Sequence, residues 1–174
     1  MIKITDKSQC CGCEACRSVC SKNCISMKAD KEGFVYPHVD LSRCINCKLC
    51  EKVCPVLHPA SSTKVPSVYA GINNDTDIRL QSSSGGIFTL IAEHILRKNG
   101  VVFGVCFDVQ WNVVHHYTET KEGLSRFRGS KYVQSHIGDS FLQAKRFLDE
   151  GRKVLFSGTP CQIVGLKNFL RKPY

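Results

Sequence analysis

The sequence predicts two dissimilar parts: a cysteine-rich α+β module over residues 1–58, and an incomplete α/β domain over 68–174, with a linker at 59–67 between them. Three observations predict this. Of the 12 cysteines, 10 lie between Cys10 and Cys54. The stretch "HPASSTKVPS", residues 58–67, has the proline and serine content of a connecting segment. Beyond it, short apolar runs alternate with helical patterns, as they do where helices cover a sheet.

The cysteines of the first part carry a code. Cys10, Cys13, Cys16 and Cys20 are spaced C-x2-C-x2-C-x3-C, and Cys44, Cys47, Cys50 and Cys54 repeat that spacing 34 positions later, followed by Pro55. Valine precedes the last cysteine in both copies (Val19, Val53). Short loops of this kind let three thiolates converge on one cubic cluster, while the fourth cysteine points away to the other cluster. The spacing therefore predicts two [4Fe–4S] clusters with crossed ligand sets. Cys10, Cys13, Cys16 and Cys54 would hold the first, and Cys44, Cys47, Cys50 and Cys20 the second. Zinc fits poorly, because its sites use paired C-x2-C knuckles with longer spacers.

Two cysteines of this part stand outside the repeat. Cys11 aligns with Ile45 and Cys24 with His58, and both are expected as small packing residues. Between the repeats, "ISMKADKEGFVYPHVDLSR" alternates apolar and polar residues about Lys31-Glu32-Gly33 and predicts a β-hairpin. Ser21 occupies the position that Pro55 holds in the second copy, which affects the turn and not the ligands.

In the second part, "SVYAGI" is a strand candidate. A helix follows "SSSGG", with Ile87, Ile91 and Ile95 on one ridge, Phe88, Ala92 and Leu96 on the next, and Gly100 as its stop. "VVFGVCF" reads as a buried strand. "VQWNVVHHYT" alternates, with Val109, Trp111, Val113 and Tyr117 on one face. "GDSFLQAKRFLDEG" predicts a helix between Asp139 and Gly151. "KVLFSGTPCQIVGLKNFLRK" predicts strand, tight turn and helix, with Thr159 as N-cap and Pro160 in the first turn. So few strands make a small sheet, and the chain reads as the N-terminal piece of a longer protein.

Three turns of this part could carry chemistry. Ser82, Ser83, Ser84, Gly85 and Gly86 stand at a helix start, where they either hold a phosphate or simply cap the helix. Gly158, Thr159, Pro160 and Cys161 lie where a strand meets a helix N-terminus, a place where open sheets put ligands. There the positive end of the helix would lower the Cys161 thiol pKa and make it a candidate catalytic group; the alternative is a cysteine packed against the sheet. Arg126, Arg128 and Lys131 surround Gly129-Ser130 in what is otherwise a solvated basic loop. His115 and His116 fall on opposite faces of a strand and make a poor ligand pair.

The formal charge is +9. Two clusters, each with its thiolates near −2, would leave it at about +5. That balance suits an acidic redox protein or a phosphate-bearing cofactor. A nucleic-acid role is not expected, since no aromatic-and-basic RNA-binding motif is present. No apolar run has the length of a membrane span or a signal sequence. Cysteine used for metal rather than disulfides fits a cytoplasmic location.

From about Asp6 to Leu57 the sequence resembles a bacterial-type two-cluster ferredoxin. The stretches "SSSGGIFTLIAEHIL", "RGSKYVQS" and above all "FSGTPCQIVGLKNFL" resemble the coenzyme F-420 hydrogenase/dehydrogenase beta subunits, of the bacterial type with that ferredoxin module in front. The resemblance implies an oxidoreductase in which two [4Fe–4S] clusters exchange electrons with an FAD. It further implies a redox partner protein or subunit and a deazaflavin or other small-molecule hydride acceptor. Ser84, Gly85, Gly86, Gly158, Thr159 and Cys161 would be its cofactor-binding positions. The competing expectation is a ferredoxin-like electron carrier whose second domain only docks a partner enzyme.

Overall fold

The structure, a computed structural model, describes residues 1–59 and 65–174. The middle of the expected linker, residues 60–64, lies outside the described residues. The chain forms two units: 1–61 with 136–142 and 158–174, and 62–135 with 143–157. The fold is α+β, a cysteine-rich module with a hairpin followed by a mixed α/β sheet.

In the first unit the internal repeat is visible in the backbone. Helix α1 (Ala15–Ser18) and helix α2 (Leu49–Lys52) are single turns at equivalent repeat positions. Each is preceded by paired left-handed residues: Gly12 (φ 62°) and Glu14 (φ 58°) in the first copy, Asn46 (φ 52°) and Lys48 (φ 59°) in the second. Three of these four are not glycine, so the loops hold a conformation that side chains resist. Between the copies, strands β1 (Ile25–Ala29) and β2 (Val35–Val39) pair antiparallel, Ile25 opposite Val39, as the alternation predicts. The Asp30 carboxylate accepts the Glu32 and Phe34 N–H groups at the turn, where Gly33 sits at φ 88°.

Helix α6 (Pro160–Leu170) belongs to this unit. The missing side chain of Gly165 permits its approach: a Cβ there would lie 3.2 Å from both Ala15 Cβ and Cys13 Sγ. Asn168 Nδ2 donates to Val53 O (3.3 Å) and His58 O (3.4 Å), and Phe169 stacks on Phe141 with centroids 6.0 Å apart.

The second unit is built on strand β3 (Val101–Phe107), antiparallel to β4 (Val113–Thr118) and parallel to β5 (Val154–Phe156). The continuous apolar run of β3 suits this central place. Val101, Val102 and Phe103 are fully buried, and the Phe103 ring stacks on Phe156 at 5.2 Å. Helix α3 (Thr76–Leu80) is capped by the Asp75 carboxylate, which accepts the Ile78 N–H. Helix α4 (Ile87–Leu96) covers the sheet with its second ridge and the last residue of its first: Ala92 is fully buried, and Phe88, Leu96 and Ile95 pack on the core; Ile87 and Ile91 are exposed. Helix α5 covers Ser140–Asp149.

Three local expectations are corrected. Val68 to Ile72 form no strand; Val68 and Tyr69 are each 89% exposed. Strand β4 begins only at Val113, because Asp108 folds residues 108–112 into a turn by accepting the Gln110 and Asn112 N–H groups, with Trp111 left-handed. At the end of α4 the left-handed residue is Asn99 (φ 55°), and Gly100 is needed for space instead, since a Cβ there would lie 2.5 Å from Ile95 Cγ2.

Candidate metal centres

Both cysteine loops open onto cavities. One is lined by Cys10, Cys13, Cys16 and Cys54, together with Cys11 and the apolar Ile2, Ile4, Met27 and Val56. The other is lined by Cys20, Cys44, Cys47 and Cys50, together with Cys24, Ile25, Val39 and Leu49. Each cavity thus takes three cysteines from one copy of the repeat and the last cysteine of the other copy. Among the described residues no three His, Cys, Asp or Glu side chains are gathered as the ligands of a single metal ion would be.

All 12 cysteines are free thiols. The apolar walls disfavour thiolates: burial pushes Cys10 up, and pushes Cys16 up to about 12. Thiol pairs share their protons. Hydrogen bonding to Cys13 draws Cys11 down to about 6 and raises Cys13 in turn. The Cys20 and Cys24 sulfurs are 3.3 Å apart, and that bond raises Cys24 to about 11. A donor set of thiols in a mostly apolar pocket suits an iron–sulfur cluster, whose iron displaces these protons. The Ile2 N–H donates to Cys50 Sγ at 3.1 Å, the type of bond that tunes a cluster's potential.

Cys11 is half-buried and part of the first cavity wall, more exposed than a packing residue should be; Cys24 is buried, as expected. Glu14, between two cysteines of the first motif, escapes sequence reasoning. It is only 3% exposed, and its carboxylate accepts the Ile137 N–H (3.0 Å) and the Gly138 N–H (3.3 Å). Burial raises its pKa against those bonds and the nearby Arg17 and His136. Arg17 donates to Gly138 O at 2.7 Å, so the first motif is tied to residues 137–138 from both sides.

The turns of the second half separate. Gly85 and Gly86 stand before α4 in the second unit. Gly86 is left-handed, and α4 has no side-chain N-cap. The basic loop meets this turn: Ser130 N donates to Ser83 Oγ at 2.7 Å, and Arg128 donates to Gln81 and Thr89. Lys131 turns inward, donating to Arg126 O and Arg128 O, and burial depresses its pKa. Gly158, Thr159 and Cys161 fall instead in the first unit. There the Gln162 side chain accepts the Thr159 N–H at 2.9 Å. The Cys161 thiol pKa is raised by burial, not lowered by the helix start. His115 and His116 do not share a site: His115 is buried against Phe156 and Ser157 O, while His116 is exposed.

The cysteine repeat defines an iron–sulfur protein of the electron-transfer class, and comparison with known families agrees. Residues 9–57 match the 4Fe-4S dicluster domain, and residues 68–141 match the N-terminal domain of the coenzyme F420 hydrogenase/dehydrogenase beta subunit. No curated protein matches the chain. Among the described residues no helix is long and apolar enough to cross a membrane.

Proposed function

We propose that the chain is the iron–sulfur part of a flavin-linked oxidoreductase. Cys10, Cys13, Cys16 and Cys54 hold one [4Fe–4S] cluster, and Cys20, Cys44, Cys47 and Cys50 hold the other. The observation that carries this is the crossed lining of the two cavities. The left-handed loop residues serve the same end, since alternating left- and right-handed backbone turns N–H groups toward an anion. Clusters of this kind pass single electrons, and a flavin converts these into the two-electron currency of hydride transfer.

In the second unit, Ser84, Gly85 and Gly86 at the uncapped start of α4 would receive the diphosphate of FAD, with Arg128 and Lys131 supplying positive charge. A partner subunit or redox protein exchanges electrons with the clusters, in keeping with the beta-subunit family that residues 68–141 match. A deazaflavin or another small hydride acceptor is the terminal substrate class.

The experiment is anaerobic reconstitution with iron, sulfide and FAD. About eight iron atoms per chain are expected. Cys54→Ser should damage the cluster whose other three ligands lie in the first motif, and Cys20→Ser the other cluster. Bound flavin should fall in Arg128→Ala. Eight irons with no flavin would make the chain an electron carrier whose second unit docks a partner. Equal damage to both clusters from either serine would overturn the crossed ligation.

A further inference from the structure

The two copies of the cysteine repeat are equivalent in spacing and unequal in cover. In the first copy the loop of residues 11–14 is built over from within the first unit. Helix α6 closes on it at Gly165, where a Cβ would lie 3.2 Å from Cys13 Sγ, and the Glu14 carboxylate accepts the Ile137 and Gly138 N–H groups. Cys13 is 7% exposed and Glu14 3%. The same positions of the second copy are Ile45, Asn46, Cys47 and Lys48. All four are exposed, Ile45 at 61%.

The charges of the two copies are opposed as well. Among the described residues the charged group in the first cavity wall is Glu14, whereas the second cavity wall has Lys22 and Lys48. Lys48 holds the left-handed position that Glu14 holds in the first copy, so an acceptor of N–H groups is replaced by an ammonium donor. Arg43 joins them, its guanidinium donating to Lys22 O at 3.0 Å, and the exposed Lys52 ends α2. The neighbouring acids are engaged locally: Glu51 pairs with the N-terminal ammonium at 2.6 Å, and Asp40 accepts the Ser42 N–H and hydroxyl. An exposed cysteine and an exposed isoleucine therefore stand among basic side chains. Electron transfer weakens steeply with distance, so the copy whose cysteine reaches the surface is where a partner's redox centre comes nearest.

We propose that the loop of residues 45–48 is the docking face for an acidic one-electron carrier protein, which exchanges electrons with the cluster held by Cys20, Cys44, Cys47 and Cys50. The proposal rests on the two-cluster reading. The carrier covers this loop as α6 and residues 137–138 cover the first, with carboxylates on Lys22, Arg43 and Lys48 and an apolar contact on Ile45. One electron leaves the carrier's centre, which is oxidised, and enters the cluster, which is reduced; no bond is made or broken, and the reverse transfer has the same balance. Basic groups at such a face steer the encounter and set its rate.

The test uses the full cluster-loaded chain and a flavodoxin, an acidic flavin carrier, reduced to its hydroquinone. Anaerobic stopped-flow absorbance follows the one-electron oxidation of that flavin. Reduced methyl viologen, a small cation, is the control donor, and iron is measured in every variant. Lys48→Glu should keep full iron, since Glu14 already places a glutamate at the equivalent loop position. Its rate with flavodoxin should fall about tenfold at low salt, and the deficit should shrink at high salt. Its rate with viologen should not fall. Ile45→Ser should slow flavodoxin at both salt concentrations. Lys31→Glu makes the same change of charge at the hairpin turn and should leave the rate within about twofold of wild type. Should Lys48→Glu lose iron, Lys22→Glu carries the same test. Equal losses in the hairpin and loop variants would reduce the effect to net charge and overturn the docking face. Full iron with reduction by viologen but not by flavodoxin, or a flavodoxin rate indifferent to the loop charge, would overturn it too and leave the clusters standing. A dimer of the loaded chain that Ile45→Ser disperses would put a second copy on this face and overturn the carrier. A wild-type chain that holds no iron would overturn the two-cluster reading instead.

Discussion

The cysteine-rich stretch 1–59 and the second unit bury different things. In residues 1–59 the buried apolar groups are small: Ile2, Ala15, Val19, Ile25, Val35 and Val53, with Cys13, Cys16, Cys24 and Cys50 beside them. Among the described residues of that stretch no aromatic ring or leucine is buried; Phe34 and Leu41 are exposed. The second unit instead buries Phe103, Leu124, Phe127 and Phe147 around its sheet. A core of small groups lined by thiols removes little apolar surface from water. The large buried groups of the first unit, Ile137, Phe141, Leu166 and Phe169, come from 136–142 and 158–174. The difference indicates that the 1–59 stretch is completed by what its cysteines hold, while the second unit is stabilised by its own side chains.

The largest effect expected from that contrast follows removal of iron. Stripping the clusters with a chelator under reducing conditions should expose the amides of β1 and β2 to rapid hydrogen exchange, while those of β3 stay protected. Mass spectrometry of the corresponding peptides separates the two. Equal loss of protection in both units would show that they share one cooperative core, and the contrast would fail.

The reverse perturbation comes next. Phe103 is fully buried, between Phe156 on one side and Tyr117 and Phe147 on others. Phe103→Ala should destabilise the second unit by about 3–5 kcal/mol, through lost transfer energy and the cavity left behind. Iron content should stay at the wild-type level. A variant that loses iron in proportion to its sheet would show that the clusters depend on the second unit.

What could be read from the sequence follows the same division. The cysteine spacing depends on short-range geometry, and a repeat written twice is hard to misread; the hairpin between the copies needed only alternation and Gly33. The central strand β3 was legible because its apolar run is unbroken. Where side chains chose between local and long-range partners, the sequence was mute. Asp108 captures its own following N–H groups and cuts β4 short, although Val109 and Trp111 keep the alternation. Glu14 carried no sequence signal, since its partners, Ile137 and Gly138, lie more than a hundred residues away. The fifth cysteine of the first motif was a signal that sequence could register but not resolve: Cys11 lines the first cavity beside the four expected ligands.

The smallest effect expected lies in the second unit, at Lys131. Its ammonium donates to Arg126 O at 3.2 Å and Arg128 O at 2.8 Å, but burial depresses its pKa below the ordinary lysine value of 10.5. The sign follows from linkage. The folded state binds this proton less tightly than the unfolded chain, so the charged lysine subtracts from stability at neutral pH. That penalty is relieved as pH rises through the folded pKa toward 10.5. Lys131→Arg keeps its charge throughout this range. Thermal midpoints of the two proteins, compared from about pH 8 to about pH 10, should therefore shift in favour of wild type, because lysine can shed its proton while arginine cannot. A bound phosphate-bearing ligand would stabilise the ammonium and flatten that trend. Repeating the comparison with FAD present tests whether this loop serves the cofactor. A gap that does not change with pH in the absence of FAD would show that burial of the Lys131 charge has no energetic consequence in this loop.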